Sequence, residues 1–255
     1  VDRDDHGDPV DALAEQQREL IRLVERRSDA ELVAPSRCDA WTVADVLLHL
    51  AQTNEMAVAS VEGRLGEYVD QVAASVPAAG DIDAWAGALV DLERGEPSAS
   101  RARYLASAAA QLDAFRSTAP AARVQWVAGD MAARTLATTR LTETWIHTVD
   151  VAVAFGPPPV PTARLWHTCR LTWRTVPYAL ARSGVAAQGE VAFVLDAPDG
   201  STWSFGDPAV APTVLRGTAL DLCTVAGQRA AAADASLRAT GPDADAVLRL
   251  VRTFA

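Results

Sequence analysis

Lysine is missing altogether: all 23 basic residues are arginine. No lysine Schiff base can form, and the phosphate-binding lysine of P-loop and kinase sites has no counterpart. Cysteine is scarce. Cys38, Cys169 and Cys223 lie far apart with no CxxC pair, and an odd count suits a reducing compartment better than a disulfide scaffold. No apolar run approaches the ~18 residues of a membrane span, and the opening VDRDDHGDPV is too polar and acidic for a signal peptide. These features predict a cytoplasmic protein. Positive charge is in deficit too. A net charge of −10 argues against nucleic acid or an anionic membrane as partner and leaves a small-molecule substrate, handled by a monomer or homodimer. The GxSxG, HExxH and GxGxxG patterns are absent, so no motif supports those enzyme classes.

What is present is a globular composition, 49% hydrophobic and 22% charged over 255 residues, enough for one large domain or two smaller ones. Residues 8–27 carry apolar positions Val10, Leu13, Leu20, Ile21 and Val24 at helical spacing. Thr42 reads as the N-cap of a second helix running to about Gly63, with Asp45 as its acidic partner three residues on. Residues 66–82 read as a loop, and 83–94 and 98–117 as helices. Residues 129–156 lack internal glycine or proline and stop at Gly156 before three prolines, which predicts a helix of roughly 40 Å, with Asp130 as its cap. Pro161 opens another helix reaching about Ser183. Beyond Gly184 the pattern changes. GEVAFVLDAP and STWSFGDP read as strands joined at Pro198–Asp199–Gly200, then APTVLRG as a third strand, a helix near 218–230, ASLRATG as a strand and a final amphipathic helix. The reading is an α+β chain with domains 1–158 and 159–255, helical first and mixed α/β second.

The stretch ETWIHTVD raises the functional question. On a helix, Glu143 and His147 are i, i+4 neighbours, with Arg140 and Thr139 one turn before and Asp150 one turn after. The other faces carry Leu141, Trp145, Ile146, Val149, Val151 and Val153, so a narrow polar stripe runs along an apolar helix. Either it faces solvent as an ordinary Arg140–Glu143 pair, or it is buried and bound to something, because a buried carboxylate is costly without a partner. A second histidine, His49, sits among Val46, Leu47, Leu48 and Leu50. An isolated histidine of this kind is more often a hydrogen-bonded core residue than a ligand. The chain has only four histidines, however, and neither His6 nor His167 has a comparable context. Two imidazoles and a carboxylate from facing helices would form a three-ligand divalent metal site with a position left for substrate. Helix spacing would let Asp150 or Asp45 orient a ring N–H from outside that site. Cys38 reads as a packed small residue, having no histidine near it in sequence, and Cys223 as core.

CDAWTVADVLLHLA followed by RLTETWIHTVDVAVAFG resembles the DinB-like metalloenzymes of actinobacteria, and is similar to their mycothiol-dependent maleylpyruvate isomerase group and its metal-binding relatives. The matching positions are Trp41, Thr42 and His49, then Glu143, His147 and Asp150. The likeness continues through LDAPDGSTWSFG and GTALDLCTVAGQR. It implies an N-terminal DinB-like four-helix bundle of up-down-down-up topology holding a divalent metal, usually Zn2+, through His49, Glu143 and His147, with a small sterol-carrier-like α/β domain behind it. Two histidines and a carboxylate also suit Ni2+, Fe2+ or Mn2+. Mycothiol is the implied cosubstrate, activated at the metal for isomerisation or S-transfer. Arg140 and Asp150 are the candidate catalytic residues. The isomerase pattern leads one to expect an arginine beyond the first ligand helix, yet residues 65–93 contain no basic residue. Arg64, Arg94 and Arg140 are the available substitutes, and Trp85 is a candidate apolar wall. Two rival readings stand beside this one: a thiol-independent Lewis-acid cyclase, lyase or isomerase of secondary metabolism, and a non-catalytic binder of metal or an apolar ligand.

Overall fold

The computed structural model describes residues 6–76, 82–127 and 129–253. They form two compact units: Pro9–Pro159 and, with residues 6–8, the part from Val160 onward. The architecture is α+β, with a four-stranded sheet in the second unit.

In the first unit, α1 (Pro9–Val24) is followed by a single short turn of helix, α2 (Asp29–Leu32), and by α3 (Val43–Val61). Then come α4 (Leu65–Ala73), α5 (Ile82–Glu93), α6 (Pro97–Arg116) and α7 (Ala133–Ala152). Helices α1, α3, α6 and α7 form a four-helix bundle, α3 lying against α6 and α1 against α7. The start of α3 is fixed as the sequence suggests. The Asp45 backbone N–H donates to Thr42 Oγ1 at 3.2 Å, and the Thr42 N–H donates to Asp45 Oδ2 at 2.9 Å.

Two expectations fail here. Much of the segment read as a loop at 66–82 is the helix α4: Leu65, Tyr68, Val69 and Val72 recur at helical spacing, Leu65 packs inward, and Tyr68 donates to the Gln52 carbonyl at 3.1 Å. Residues 77–81 of that reading lie outside the described residues. The long helix begins at Ala133 rather than near 129, since Met131–Ala132 (β2) pairs antiparallel with Arg123–Val124 (β1), and Ala132, not Asp130, occupies the N-cap.

The bundle core is layered. Leu20, Leu47, Leu50, Tyr104, Ala108 and Val151 form one apolar cluster, and Leu13, Ala57, Phe115, Leu136, Ala137 and Leu141 another. Between them each helix contributes a buried polar residue. Gln17 Nε2 donates to Gln111 Oε1 at 3.0 Å and Gln111 Nε2 to Asn54 Oδ1 at 2.9 Å. Arg140 Nη2 reaches the same Asn54 oxygen at 3.3 Å, so the chain of contacts touches all four helices. Most polar atoms of this layer are paired within it, although among the described residues Gln17 Oε1 accepts and Arg140 Nε donates no hydrogen bond.

In the second unit, α8 (Leu165–Arg182) precedes β3 (Val191–Asp196), β4 (Thr202–Phe205) and β5 (Thr213–Thr218). Then follow α9 (Ala219–Ala226), β6 (Arg238–Thr240) and α10 (Ala244–Leu250). The sheet order is β4-β3-β5-β6, with β3 and β5 parallel and both outer pairs antiparallel. After β6, Gly241 adopts φ +108° against the Pro212 carbonyl, where a Cβ would collide with backbone. His6 stacks on Trp166 at 4.5 Å between ring centroids.

Candidate metal centre

Helix α7 brings its polar stripe inside. Thr139, Arg140, Glu143, His147 and Asp150 are all buried, Asp150 completely. The solvent-facing alternative for this stripe is therefore excluded. The i, i+4 and i, i+7 spacing aligns Glu143, His147 and Asp150 along one side of the helix, and α3 places His49 opposite.

His49 Nε2 lies 3.0 Å from Glu143 Oε1, and the His49 and His147 rings stand 5.1 Å apart at 76°. One ligand atom from each of His49, Glu143 and His147 falls within 4.8 Å of the others. Two donors on a tetrahedral zinc, each at ~2.0–2.1 Å, sit about 3.3 Å apart, so the His49–Glu143 separation is close to that of a coordinated pair. Two imidazole nitrogens and one carboxylate oxygen form a donor set that a divalent ion accepts.

Each donor has its own support. Thr53 Oγ1 donates to Glu143 Oε1 at 3.1 Å, while Arg140 contacts Glu143 Oε2 and donates from Nη2 to Thr53 Oγ1 at 2.8 Å. Burial pushes the Arg140 guanidinium down to about 9, and with its side chain 1% exposed it is engaged inside the bundle. His147 Nδ1 lies 3.0 Å from Asp150 Oδ2. An ionised carboxylate only accepts, so this contact places the ring proton on Nδ1 and presents the Nε2 lone pair to a metal.

Asp45 has no such part. Burial alone would raise its carboxyl, but hydrogen bonds from Arg94 and Thr42 outweigh that and hold it below the usual range. Arg94 Nε lies 2.7 Å from Asp45 Oδ1, and Arg64 pairs with Glu62. The three arginines that sequence offered for a substrate carboxylate thus each pair with a carboxylate of the protein.

One participant was missed. Cys38 is half-buried, with Sγ 3.2 Å from Asp150 Oδ2 and 3.7 Å from His147 Nδ1. Cys38, His147 and Asp150 make a second cluster of metal-ligand type sharing His147 with the first. The turn that carries Cys38 is closed by Ser36 N–H to the Trp41 carbonyl at 3.0 Å, and Arg37 N–H joins it to the Asp150 carbonyl at 3.0 Å. Trp41, at the end of the same turn, lies 5.2 Å from the His49 ring. Beside His49 is a cleft walled by Met56, Tyr68, Trp85 and Leu89, with only ≈10 Å3 of interior space. That is room for about one water.

Residues 13–152 match the model of the mycothiol maleylpyruvate isomerase N-terminal domain. The chain belongs to that family. Two proteins described as uncharacterized, from Mycobacterium tuberculosis strains CDC 1551 / Oshkosh and H37Rv, are each 29% identical over 252 residues, 98% of this chain and 96% of theirs. The fold matches the crystal structure of the mycothiol-dependent maleylpyruvate isomerase with a TM-score of 0.60, covering 92% of this chain and 94% of that one at 17% identity. A histidine-to-alanine mutant of that isomerase matches at 0.59. The family agrees with the resemblance carried by Trp41–Thr42–His49 and Glu143–His147–Asp150. No helix among the described residues is long and apolar enough to cross a membrane.

Proposed function

We propose that this protein is a divalent-metal enzyme that uses a thiol cosubstrate, mycothiol, to isomerise a small organic substrate or transfer sulfur to it. The observation that carries the reading is the convergence of His49, Glu143 and His147 donor atoms, with the Nδ1 of His147 held on buried Asp150. The family supports the mycothiol part, since its description names mycothiol and a protein of the same fold is described as mycothiol-dependent.

In this reading His49, Glu143 and His147 hold the ion, most simply Zn2+, with Ni2+, Fe2+ and Mn2+ as other candidates. The bound ion would supply a positive centre that lowers the pKa of a thiol and polarises a substrate oxygen. Everything else falls to the chain's own groups. Asp150 keeps the proton on Nδ1 of His147 and so fixes the tautomer and ring plane. Arg140 and Thr53 orient Glu143 by contacting each of its two oxygens. Arg140 and Asp150 are therefore positioning residues rather than groups that touch substrate. Met56, Trp85 and Leu89 narrow the cleft beside the site to about one water.

Metal analysis of untagged protein tests the first step: a near-stoichiometric divalent ion is expected, lost in His49→Ala. Mycothiol titration of the metal-loaded protein tests the second. If mycothiol neither binds nor alters turnover while the metal is present, the thiol reading fails and the Lewis-acid reading takes its place.

A further inference from the structure

Cys38, His147 and Asp150 meet at one corner of the bundle. Cys38 Sγ lies 3.2 Å from Asp150 Oδ2 and 3.7 Å from His147 Nδ1, and Nδ1 lies 3.0 Å from Oδ2. On a tetrahedral zinc, with Zn–S at ~2.3 Å and Zn–N or Zn–O at ~2.0–2.1 Å, two donors stand about 3.6 Å apart when one is sulfur and about 3.3 Å apart otherwise. All three separations fall within about 0.4 Å of those values. The thiol, the imidazole and the carboxylate are thus spaced as ligands of one ion.

The backbone holds this corner together. His147 and Asp150 stand one turn apart on α7. Cys38 comes from the turn before α3, where its N–H donates to Ser36 Oγ at 3.1 Å and the Arg37 N–H donates to the Asp150 carbonyl at 3.0 Å. Asp150 is fully buried and Cys38 half-buried, so an ion reaches the corner from the cysteine side. The first centre takes His147 through Nε2, whereas this corner uses Nδ1.

Charge permits occupancy. With an ion already on Nε2, an entering dication displaces the thiol proton and the Nδ1 proton to solvent, and the net charge of the corner is unchanged. Without that ion the Nδ1 proton moves to Nε2, only the thiol proton leaves, and the corner becomes neutral. Neither route buries an unpaired charge.

We propose that Cys38, His147 and Asp150 form a second metal site, which takes a thiophilic dication such as Zn2+ through Sγ, Nδ1 and Oδ2. Its thiolate makes it the softer of the two centres. It requires neither His49 nor Glu143, so it stands whether or not the first centre does.

The test strips the full-length protein of metal with a chelator and titrates it with Co2+, a tetrahedral stand-in for zinc. A thiolate-to-cobalt charge-transfer band in the near ultraviolet reports sulfur ligation. Two equivalents are expected, one of them carrying the band. Cys38→Ser should lose the band and one equivalent, with circular dichroism unchanged. His49→Ala should lose the other equivalent and keep the band. A single equivalent that carries the band and survives His49→Ala would uphold this site while removing the first. Absence of the band at millimolar Co2+ would overturn the proposal. So would a band unchanged in Cys38→Ser, or one that vanishes in His49→Ala, since the thiolate would then belong to the first ion.

Discussion

Replacing Asp150 by asparagine keeps the shape of a fully buried side chain and removes its charge. Asp150 Oδ2 is shared by His147 Nδ1 at 3.0 Å and the Cys38 thiol at 3.2 Å. An amide oxygen can still accept from one of them, but it no longer stabilises a proton on Nδ1 by charge. A hydrogen bond to a charged group contributes about 1.5–3 kcal/mol net. Loss of the partner that orients a ligating histidine typically lowers metal affinity about 10–100-fold, which corresponds to roughly 1.4–2.8 kcal/mol. The two estimates agree, so Asp150→Asn should weaken zinc binding within that range while the apoprotein loses little helix content. Competition for zinc against a chromophoric chelator measures the affinity, and circular dichroism checks the fold. An affinity within about twofold of wild type would refute the role given to Asp150. Cys38→Ser, which keeps a donor to Oδ2, should cost much less than Asp150→Asn in the same assay.

Arg140→Met removes the guanidinium partner of a buried ion pair and leaves Glu143 with only Thr53 and His49 beside it, so urea unfolding should show a loss of about 3 kcal/mol. Thr42→Ala removes the α3 cap and should cost about 1 kcal/mol in the same measurement. Asp45 is held below its usual range, so it contributes stability above the ordinary carboxyl value near 4 and loses it as pH falls through the lower folded value. Asp45→Asn should therefore flatten the acid limb of the stability–pH curve, read from melting temperatures at successive pH values. Gly241→Ala forces a Cβ into the Pro212 backbone and should cost about 1–3 kcal/mol or more, seen as earlier unfolding of the second unit by calorimetry.

Sequence made the site's helical half legible because that information is local. Glu143, His147 and Asp150 share a side of α7 by periodicity alone, and Thr42 with Asp45 declares the start of α3 through a four-residue pattern. His49 followed by elimination among four histidines. The strand order of the second unit was not readable, but its strands were, because turn residues bracket them. What escaped depends on contacts between distant segments. Cys38 meets Asp150 across 112 residues, through a turn whose closure no local pattern announces. The polar layer of Gln17, Gln111, Asn54 and Arg140 is spread over four helices, and each member alone resembles a surface residue. Helix α4 carries Leu65, Tyr68, Val69 and Val72 at helical spacing, a signal too short to stand out from the small residues after it, and Leu65 and Tyr68 dock it against the bundle.

The Trp41 ring stands 5.2 Å from that of His49 and tilted 47° to it. An indole that near an imidazole of the centre is a built-in optical gauge. Emission recorded against Trp41→Phe would isolate the signal of this one indole, so occupancy of the centre could be followed in real time without labels and without knowing the substrate.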